Sequence, residues 1–214
     1  MLLQKLQTHL QTYQHQFYPA FQNRRNHISA GILVALYEDD DWTCILTQRS
    51  SKLKDHSGEI CFPGGKQQKE DLSLQDTALR EAKEEISLEG TIIGRLSSIP
   101  LYTSDFRLEP FVAIANTPLD QLQANEEVEH ILHVSLKHIL ERPFLEGTPF
   151  SYQGKTLVSP HFKPHHLQKK PPTNQLTYGG TAIVLYELLE QISIITNTKI
   201  PEIRQIDWPR QIIS

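Results

Sequence analysis

The chain has 214 residues and a formal net charge of −4, from 21 Lys and Arg against 25 Asp and Glu. This charge balance does not indicate a protein that binds nucleic acids or membrane surfaces. A chain of this length can bury a core without disulfide bonds. The longest apolar run, residues 30–37, is too short to span a bilayer. Two cysteines, Cys44 and Cys61, in a chain without a secretion signal predict free thiols and a cytoplasmic protein.

Hydrophobic periodicity predicts a mixture of helices and strands in chain order. Leucines and aromatic residues at helical spacing predict an opening helix over residues 2–22. This helix packs on the domain or, as the alternative, forms the contact of a homodimer. Apolar runs bounded by turn residues then predict strands at residues 28–40, 42–50, 60–66, 91–102, 108–116 and 128–134, and a hairpin over 148–160.

Further helices are predicted at residues 73–87, 136–140 and 181–192. Residues 161–175, which are rich in Pro and Lys, are expected to form a mobile loop. Strands and helices mix without a regular βαβ alternation, so the predicted fold class is α+β. We expect an N-terminal helix, within residues 1–25, packed on a single domain of residues 26–214.

The predicted helix at residues 73–87 carries three clustered acids, Glu81, Glu84 and Glu85. Like charges one turn apart cost about 0.2–0.5 kcal/mol per pair, and a divalent cation would remove this repulsion. The alternative is a solvated face on which Arg80 pairs with Glu84. The preceding Pro-Gly-Gly turn, residues 63–65, favours the metal site, because glycine lets the backbone approach a metal or a phosphate closely.

The sequence of this helix resembles the Nudix hydrolases. The run REAKEEISL, residues 80–88, is similar to the second half of the family signature, with Ser87 where the family has glycine. The stretch from Gly65 to this run is one residue longer than the signature has, and Glu70 and Asp71 are the candidates for its earlier acid. The resemblance implies a Nudix-type α/β/α sandwich with a mixed central sheet, here with an added N-terminal helix.

A second motif resembles the coenzyme A diphosphatase subgroup, which also carries the longer spacing. The run ILTQRSSKLKDHSGEICFPGG, residues 45–65, follows the subgroup's upstream motif in register. Ile45 replaces a leucine, and Lys54 replaces an arginine, which keeps the charge and loses the bidentate fork. Residues 177–182, TYGGTA, are a weaker likeness to the subgroup's Trp-Gly-x-Thr-Ala.

This resemblance implies metal-dependent hydrolysis of the diphosphate bond of coenzyme A or acyl-CoA. The products would be 4′-phosphopantetheine, or its acyl form, and 3′,5′-ADP. The alternative is another nucleoside diphosphate derivative, such as ADP-ribose, a dinucleotide polyphosphate, NADH or capped RNA. A non-catalytic binding module is a third interpretation, against which the retained glutamates argue. The expected partner is a small-molecule diphosphate, and neither a membrane nor nucleic acid is expected.

The resemblance also implies roles for the helix. Glu81 and Glu85, with Glu84 and the backbone of Gly65, are the expected ligands of Mg²⁺ or Mn²⁺. Glu84 is also a candidate catalytic residue. Arg80 is expected to position a glutamate by pairing with it rather than to contact substrate.

The general base, or an additional metal ligand, is expected on a downstream loop. Glu127 is preferred to its neighbour Glu126, because the family often has an acid immediately before a valine there. Glu109 is a weaker candidate. The alternative for Glu127 is a solvated loop acid.

Arg49, Lys54, His56 and Phe62 are the candidate substrate-binding residues. Cationic groups beside the Pro-Gly-Gly turn could bind the phosphates of coenzyme A. The alternatives are surface charge for the first three and the core for Phe62. The basic residues of segment 165–170 could reach an anionic substrate, but they carry no motif support, and a solvated loop is preferred.

Overall fold

The computed structural model describes residues 1–207, so residues 208–214 of the predicted domain lie outside it. The helices are α1 (Leu2–Thr12), α2 (Leu74–Ile86), α3 (Leu136–Leu140), α4 (Pro164–Leu167) and α5 (Gly179–Thr196). The strands are β1 (Ile28–Leu36), β2 (Thr43–Arg49), β3 (Ile60–Cys61), β4 (Gly64–Lys66), β5 (Gly90–Arg95), β6 (Ile99–Pro100), β7 (Phe106–Ala115), β8 (Val128–Ser135), β9 (Phe144–Tyr152), β10 (Lys155–His161) and β11 (Glu202–Gln205).

The central sheet is mixed, because β1 and β7 run parallel while its other pairs are antiparallel. β1 and β2 pair at Leu36 and Cys44 and are separate towards the other end of β1. There β3 pairs with β2 and β4 pairs with β1, so the segment of residues 60–66 bridges the two strands. This bridge carries the Pro-Gly-Gly turn into the middle of the sheet.

Helices cover both faces of this sheet. On one face α2 packs through Ala78, Ala82 and Ile86, all fully buried. On the other face lie α1 and α5, packed on the alternate side chains of the same strands. A side chain at Gly31 of β1 would place its Cβ 2.2 Å from the carbonyl oxygen of Leu74, so glycine permits the close approach of α2. The predicted α+β class and α/β/α sandwich are confirmed.

A smaller three-stranded sheet, β10-β9-β11, lies beside the central one. The hairpin of β9 and β10 turns at Gln153 and Gly154, as predicted. β11 joins β9 in parallel and was not predicted. Both cysteines are free thiols, as predicted. No helix within residues 1–207 is both long and apolar enough to cross a membrane.

The predicted opening helix of residues 2–22 is wrong in length, because α1 ends at Thr12. Beyond it the chain is extended and bonded to distant segments. The Tyr13 hydroxyl donates to Glu187 of α5 at 2.8 Å, and the amide of Gln16 donates to the Ser97 hydroxyl at 2.9 Å. These contacts replace the helix, and Phe17 is left 68% exposed. The leucines of α1 itself are buried in the core beside α5.

The prediction of a mobile loop at residues 161–175 is wrong for its first part, which ends β10 and forms α4, whereas residues 168–175 contain neither helix nor strand. Phe162 is fully buried; its amide donates to the carbonyl of Thr177 at 2.9 Å, and its carbonyl accepts the amide of Thr177 at 3.0 Å. His166 of α4 is buried, and its ring accepts the amide of Lys163 at 3.2 Å. Burial lowers the pKa of His166 to about 3, so this histidine is neutral at pH 7.

Ser87 ends α2 in the left-handed region, at φ 56° and ψ 27°, where the family signature has glycine. A side chain costs about 1–2 kcal/mol in this conformation, partly offset by the greater freedom of glycine in the unfolded chain. We expect Ser87→Gly to raise the free energy of unfolding by about 0.5–1 kcal/mol. Thermal denaturation should show a Tm higher by about 2 °C.

Asn197→Gly is the matched control, because Asn197 ends α5 at φ 54° and asparagine tolerates the left-handed region. Its Tm should change less than that of Ser87→Gly. A Tm lowered by Ser87→Gly would contradict the role assigned to this cap.

Candidate active site

α2 carries the clustered glutamates along the side of the helix that faces β4. The helix begins at a Ser73 cap, whose hydroxyl accepts the amide of Asp76 at 3.2 Å. Its apolar stripe lies on the sheet, and Glu85 is drawn down beside that stripe to 4% exposure. Glu81, one turn earlier, is half-buried, whereas the Glu84 side chain is 53% exposed. Helical periodicity thus brings Glu81 and Glu85 to one flank and leaves Glu84 at its outer rim.

The glycine turn meets these two glutamates. A Cβ on Gly65 would lie 2.5 Å from a carboxylate oxygen of Glu81, so only glycine leaves room for this carboxylate against the strand. The backbone of the neighbouring Gly64 lies close enough to the Glu85 carboxylate to lower its pKa, against the larger effect of burial. The backbone of the turn and both carboxylates therefore share one small space.

Arg80 holds three carboxylates around this space. Its guanidinium donates to both oxygens of Asp71 at 2.9 and 3.0 Å, to Glu81 at 2.9 Å and to Glu84 at 2.8 Å. It also donates to the carbonyl of Lys66 in β4 at 3.3 Å. The pair of Arg80 and Glu84, which was predicted for the alternative of a solvated helix face, is present. Of the two early acids left open by the sequence, Asp71 is the partner of Arg80.

Asp71 is fixed as well as paired. It accepts the Thr77 hydroxyl at 2.9 Å and the amide of Gln68 at 2.9 Å. The bonds from Arg80 and from this amide hold the pKa of Asp71 far below its usual range. Asp71 is thus a permanent anion that orients the Arg80 guanidinium.

The loop before β8 brings Glu127 to the same site. The amide of Asn125 donates to the carbonyl of Glu85 at 2.8 Å, and that of Gln123 donates to Ile86 at 3.1 Å. These bonds satisfy carbonyl groups that the end of a helix leaves open. The exposed Glu127 then lies near enough to raise the pKa values of Glu81 and Glu85.

Glu109 does not reach this site. Its carboxylate accepts Arg95 at 2.6 Å and the Ser98 hydroxyl at 2.7 Å in a separate buried network. The backbone amide of Glu127 donates to Asn125 Oδ1 at 2.9 Å, a contact within its own loop. Of the acids considered for the downstream loop, the structure brings Glu127 to the glutamates.

The carboxylates repel one another in a buried place. Burial, then the charges of Glu81 and Glu127, raise the pKa of Glu85 to about 8. Burial is also the main cause of the raised pKa of Glu81. One oxygen of Glu85, Oε2, is buried with no hydrogen-bond partner among the described residues. A buried carboxylate oxygen without a donor is a ligand atom open to a cation.

The donor set fits a hard divalent cation, because it consists of carboxylates beside a glycine backbone. As the side chains stand, no three His, Cys, Asp or Glu groups in the described chain are placed to hold an ion. Arg80 instead compensates Glu81 and Glu84. Binding a cation would therefore require these carboxylates to turn from Arg80.

Arg49, at the end of β2, lies beside the glutamates. Its positive charge acts on the Glu85 carboxyl, lowering its pKa against the larger effects of burial and Glu81. Its Nε is buried with no hydrogen-bond partner within residues 1–207. Lys54 and His56 are exposed on the loop that follows. Phe62 is different, since it is 3% exposed and packs in the core with α5, on the sheet face opposite α2.

Other groups near the site were missed in the sequence. Cys61 of β3 lies close enough to Glu85 and Arg49 for their charges to act on its thiol, whose pKa burial raises to about 11. Burial raises the pKa of Tyr178, just before α5, and the nearby Glu59 carboxylate raises it further. Alternation along β2 puts Thr47 on the same face of the sheet as Arg49, and Cys61 of β3 pairs with Thr47, so a prediction of this pairing would have placed Cys61 on that face. No local pattern connects positions as distant as Glu59 and Tyr178.

Arg80→Lys should lower the affinity for the activating metal, or the activity, by about 10–100-fold, as loss of an orienting partner typically does. One ammonium group cannot make the bidentate contact with Asp71 and also hold Glu81 and Glu84. Activity titrated against Mg²⁺ would measure the change. Arg95→Lys, in the separate network with Glu109, is the control and should leave the Mg²⁺ dependence unchanged. An unchanged Mg²⁺ dependence in Arg80→Lys would contradict this role.

Comparison with known proteins places this site in a family. Residues 25–149 match the model of the NUDIX domain. The chain is 29% identical over 182 residues to the protein named "Uncharacterized Nudix hydrolase NudL" of Yersinia pestis, covering 84% of this chain and 85% of that one. The same identity and coverage relate it to the protein of that name in Yersinia pseudotuberculosis.

Solved structures are similar to parts of the fold. A MutT protein from Methanosarcina mazei Go1 is 22% identical, with a TM-score of 0.41 over 61% of this chain and 86% of that one. A MutT/nudix family protein from Enterococcus faecalis is 13% identical, with a TM-score of 0.47 over 92% of this chain and 74% of that one. The domain match and its carboxylate helix lead to one conclusion: the chain belongs to the Nudix family of hydrolases, which act on phosphorus-containing anhydrides.

Proposed function

We propose that the protein is a coenzyme A diphosphatase. It would hydrolyse the diphosphate bond of coenzyme A or acyl-CoA to 3′,5′-ADP and 4′-phosphopantetheine or its acyl form. The observation that carries this proposal is the position of the motif at residues 45–65. Its Arg49 lies close enough to Glu85 to lower the pKa of that carboxyl, and its Glu59 lies close enough to Tyr178, in the second region of resemblance, to contribute to the raised pKa of that tyrosine.

The proposed metal ligands are Glu81 and Glu85, with Glu84 and the backbone of Gly65. Nudix hydrolases generally use divalent metal ions, and here Mg²⁺ or Mn²⁺ is the expected ion. When bound, such an ion neutralises phosphate oxygens and makes a bound water more acidic. The orphan oxygen of Glu85 and the close contact of Gly65 with Glu81 support this ligand set.

The remaining residues act around this centre. Arg80, fixed by Asp71, orients Glu81 and Glu84. Glu127 is the proposed base that takes a proton from the attacking water, because it stands on an exposed loop near both buried glutamates. Arg49 attracts a substrate phosphate, since its positive charge acts on Glu85 and its buried Nε has no hydrogen-bond partner among the described residues.

Two substrate-binding predictions have different support. Lys54 is exposed on the loop after Arg49, where its charge would add to that of Arg49 in attracting a phosphate. Phe62 has support only for its alternative, the core, because it is buried on the other face of the sheet. We therefore propose no contact between Phe62 and substrate.

A substrate panel with Mg²⁺ or Mn²⁺ tests the proposal. Purified protein should release 3′,5′-ADP from coenzyme A, and mass spectrometry in ¹⁸O-labelled water should show which phosphorus is attacked. Turnover of ADP-ribose, a dinucleotide polyphosphate, NADH or capped RNA without turnover of coenzyme A would overturn the coenzyme A assignment. No hydrolysis of any of them would instead favour a non-catalytic binding module.

Three finer expectations accompany this activity. The two free thiols suit the reducing cytoplasm, where we propose that the protein acts. The catalytic unit is proposed to be a single domain of residues 26–214, with α1 packed on it. We also propose a homodimer. Light scattering tests this, and a monomeric mass would contradict the homodimer.

A further inference from the structure

The turn of residues 125–128 holds Glu127 between α2 and β2. At the start of the turn, the amide of Asn125 donates to the carbonyl of Glu85 at 2.8 Å. Two residues later, the carbonyl of Glu127 accepts the amide of Ser50, the residue that follows β2, at 2.7 Å. One bond therefore ties the turn to the helix that carries the clustered glutamates, and the other ties it to the end of β2.

Asn125 also closes the turn itself. Its side-chain oxygen Oδ1 accepts the amide of Glu127 at 2.9 Å, and its carbonyl accepts the amide of Val128 at 3.3 Å. Asparagine is favoured at the first position of a β-turn, because its side chain can accept the backbone amide two residues further on. Asn125 thus bonds to Glu85 through its amide and to Glu127 through its side chain.

Burial does not hold this part of the chain, because Glu126 and Glu127 are both exposed. Glu127 is instead hydrogen-bonded at its amide, to Asn125, and at its carbonyl, to Ser50. Of these two bonds, the one to Asn125 uses a side chain. A substitution at position 125 can therefore remove it and leave the backbone bonds of the turn in place.

We infer that Asn125 is a positioning residue, which holds Glu127 in a fixed place relative to Glu85. This inference rests on the proposed function, because that function assigns proton transfer to Glu127. A general base must lie within hydrogen-bond reach of the water that it activates. Loosening the turn should therefore slow the chemical step, whereas binding of the substrate in its ground state should change little.

Asn125→Ala removes the bond from the side chain to the amide of Glu127. Amides of residues 126–128 should exchange with deuterium about fivefold faster, as expected for loss of one ordinary hydrogen bond from a local structure. The kcat should fall about tenfold, which is part of the roughly 10²–10⁴-fold that a general base contributes, with KM within about twofold of the wild type. The kinetics use whichever diphosphate of the substrate panel the wild-type protein hydrolyses.

Two variants serve as matched controls. Asn125→Ser keeps a side-chain oxygen that can accept the amide of Glu127, so it should restore most of the kcat and the slower exchange. Asn116→Ala removes another asparagine side chain, which donates to Thr91 Oγ1 at 3.1 Å beside β5. It should leave both the kcat and the exchange of residues 126–128 unchanged.

A double mutant separates positioning from a purely structural role. Glu127→Gln removes the proposed base and should lower kcat by about 10²-fold or more. Adding Asn125→Ala to Glu127→Gln should cause no further loss, because the effect of Asn125 acts through the carboxylate that is already absent. A structural role would lower kcat by the same factor in both backgrounds.

Unchanged exchange in Asn125→Ala would overturn the inference. So would a further tenfold loss of kcat in the double mutant, or a rise in KM at constant kcat. A wild-type kcat in Glu127→Gln would overturn the assignment of the base and this inference together. Failure of coenzyme A as the substrate appears in the panel alone, so the two proposals can fail separately.

Discussion

Glu85→Gln is expected to reduce kcat by about 10³-fold without unfolding the protein, which is the scale for loss of one electrostatic group at a reaction centre. The carboxylate is 4% exposed and is packed between the helix and the glycine turn. An amide of the same shape fills the same space, so the core should persist. It cannot supply the negative oxygen that a hard cation needs. Steady-state kinetics with saturating Mg²⁺, together with circular dichroism, would measure both effects.

The control for this result is Glu89→Gln. Glu89 lies just beyond the end of α2 and pairs on the surface with Lys83 at 2.7 Å. Its replacement removes a carboxylate from the same region without touching the site, so kcat should stay within about twofold, as for most surface substitutions. A near-wild-type kcat in Glu85→Gln would show that the metal site has been misplaced.

The metal-free protein is expected to lose stability between pH 6.5 and 8.5. The pKa of Glu85 is raised from 4.5 to about 8 in the folded chain, chiefly by burial. Its contribution is fully present below the unfolded pKa and is lost as the pH rises through the folded pKa. Over this window the loss is about 2 kcal/mol, or roughly 5 °C in Tm. Thermal denaturation in a chelating buffer measures it.

The window starts at pH 6.5 because below that pH the protonation of His166 would change the stability in the opposite direction. Its pKa is lowered from 6.5 to about 3 by burial, so its contribution is present above pH 6.5 and declines as the pH falls below it. Mg²⁺ binds the ionised carboxylates and should restore the Tm at pH 8.5. Glu85→Gln should flatten the pH dependence. A wild-type Tm that is constant across the window without metal would contradict the charge repulsion in this site.

Features set by local sequence were predictable. The stripe of Ala78, Ala82 and Ile86 determines which side of α2 is buried, and helical geometry then places Glu81 and Glu85 together. The Gly-Gly turn was equally readable, because glycine marks close backbone approach. These features are determined within a few residues of the chain.

Features set by distant contacts were not predictable. The choice of Asp71 over Glu70 depends on the path of the loop that carries it to Arg80. The true end of α1 depends on bonds from Tyr13 and the residues after it to segments far along the chain. The pairing of Phe162 with Thr177, which fixes the chain just before α4, likewise joins distant positions. Propensity and periodicity carry no information on such pairings.

The packing of α1 bears on the smallest portion of the chain that can fold independently. Residues 25–149 match the domain model, yet the sheet face opposite α2 is covered by α1 and α5, which both lie outside that range. Cutting the chain to the matched range would expose buried leucines of the sheet such as Leu46 and Leu132. Exposed apolar faces of this kind associate. The range that matches the family model is therefore shorter than the stretch of chain that packs into this core, which includes α1 and α5.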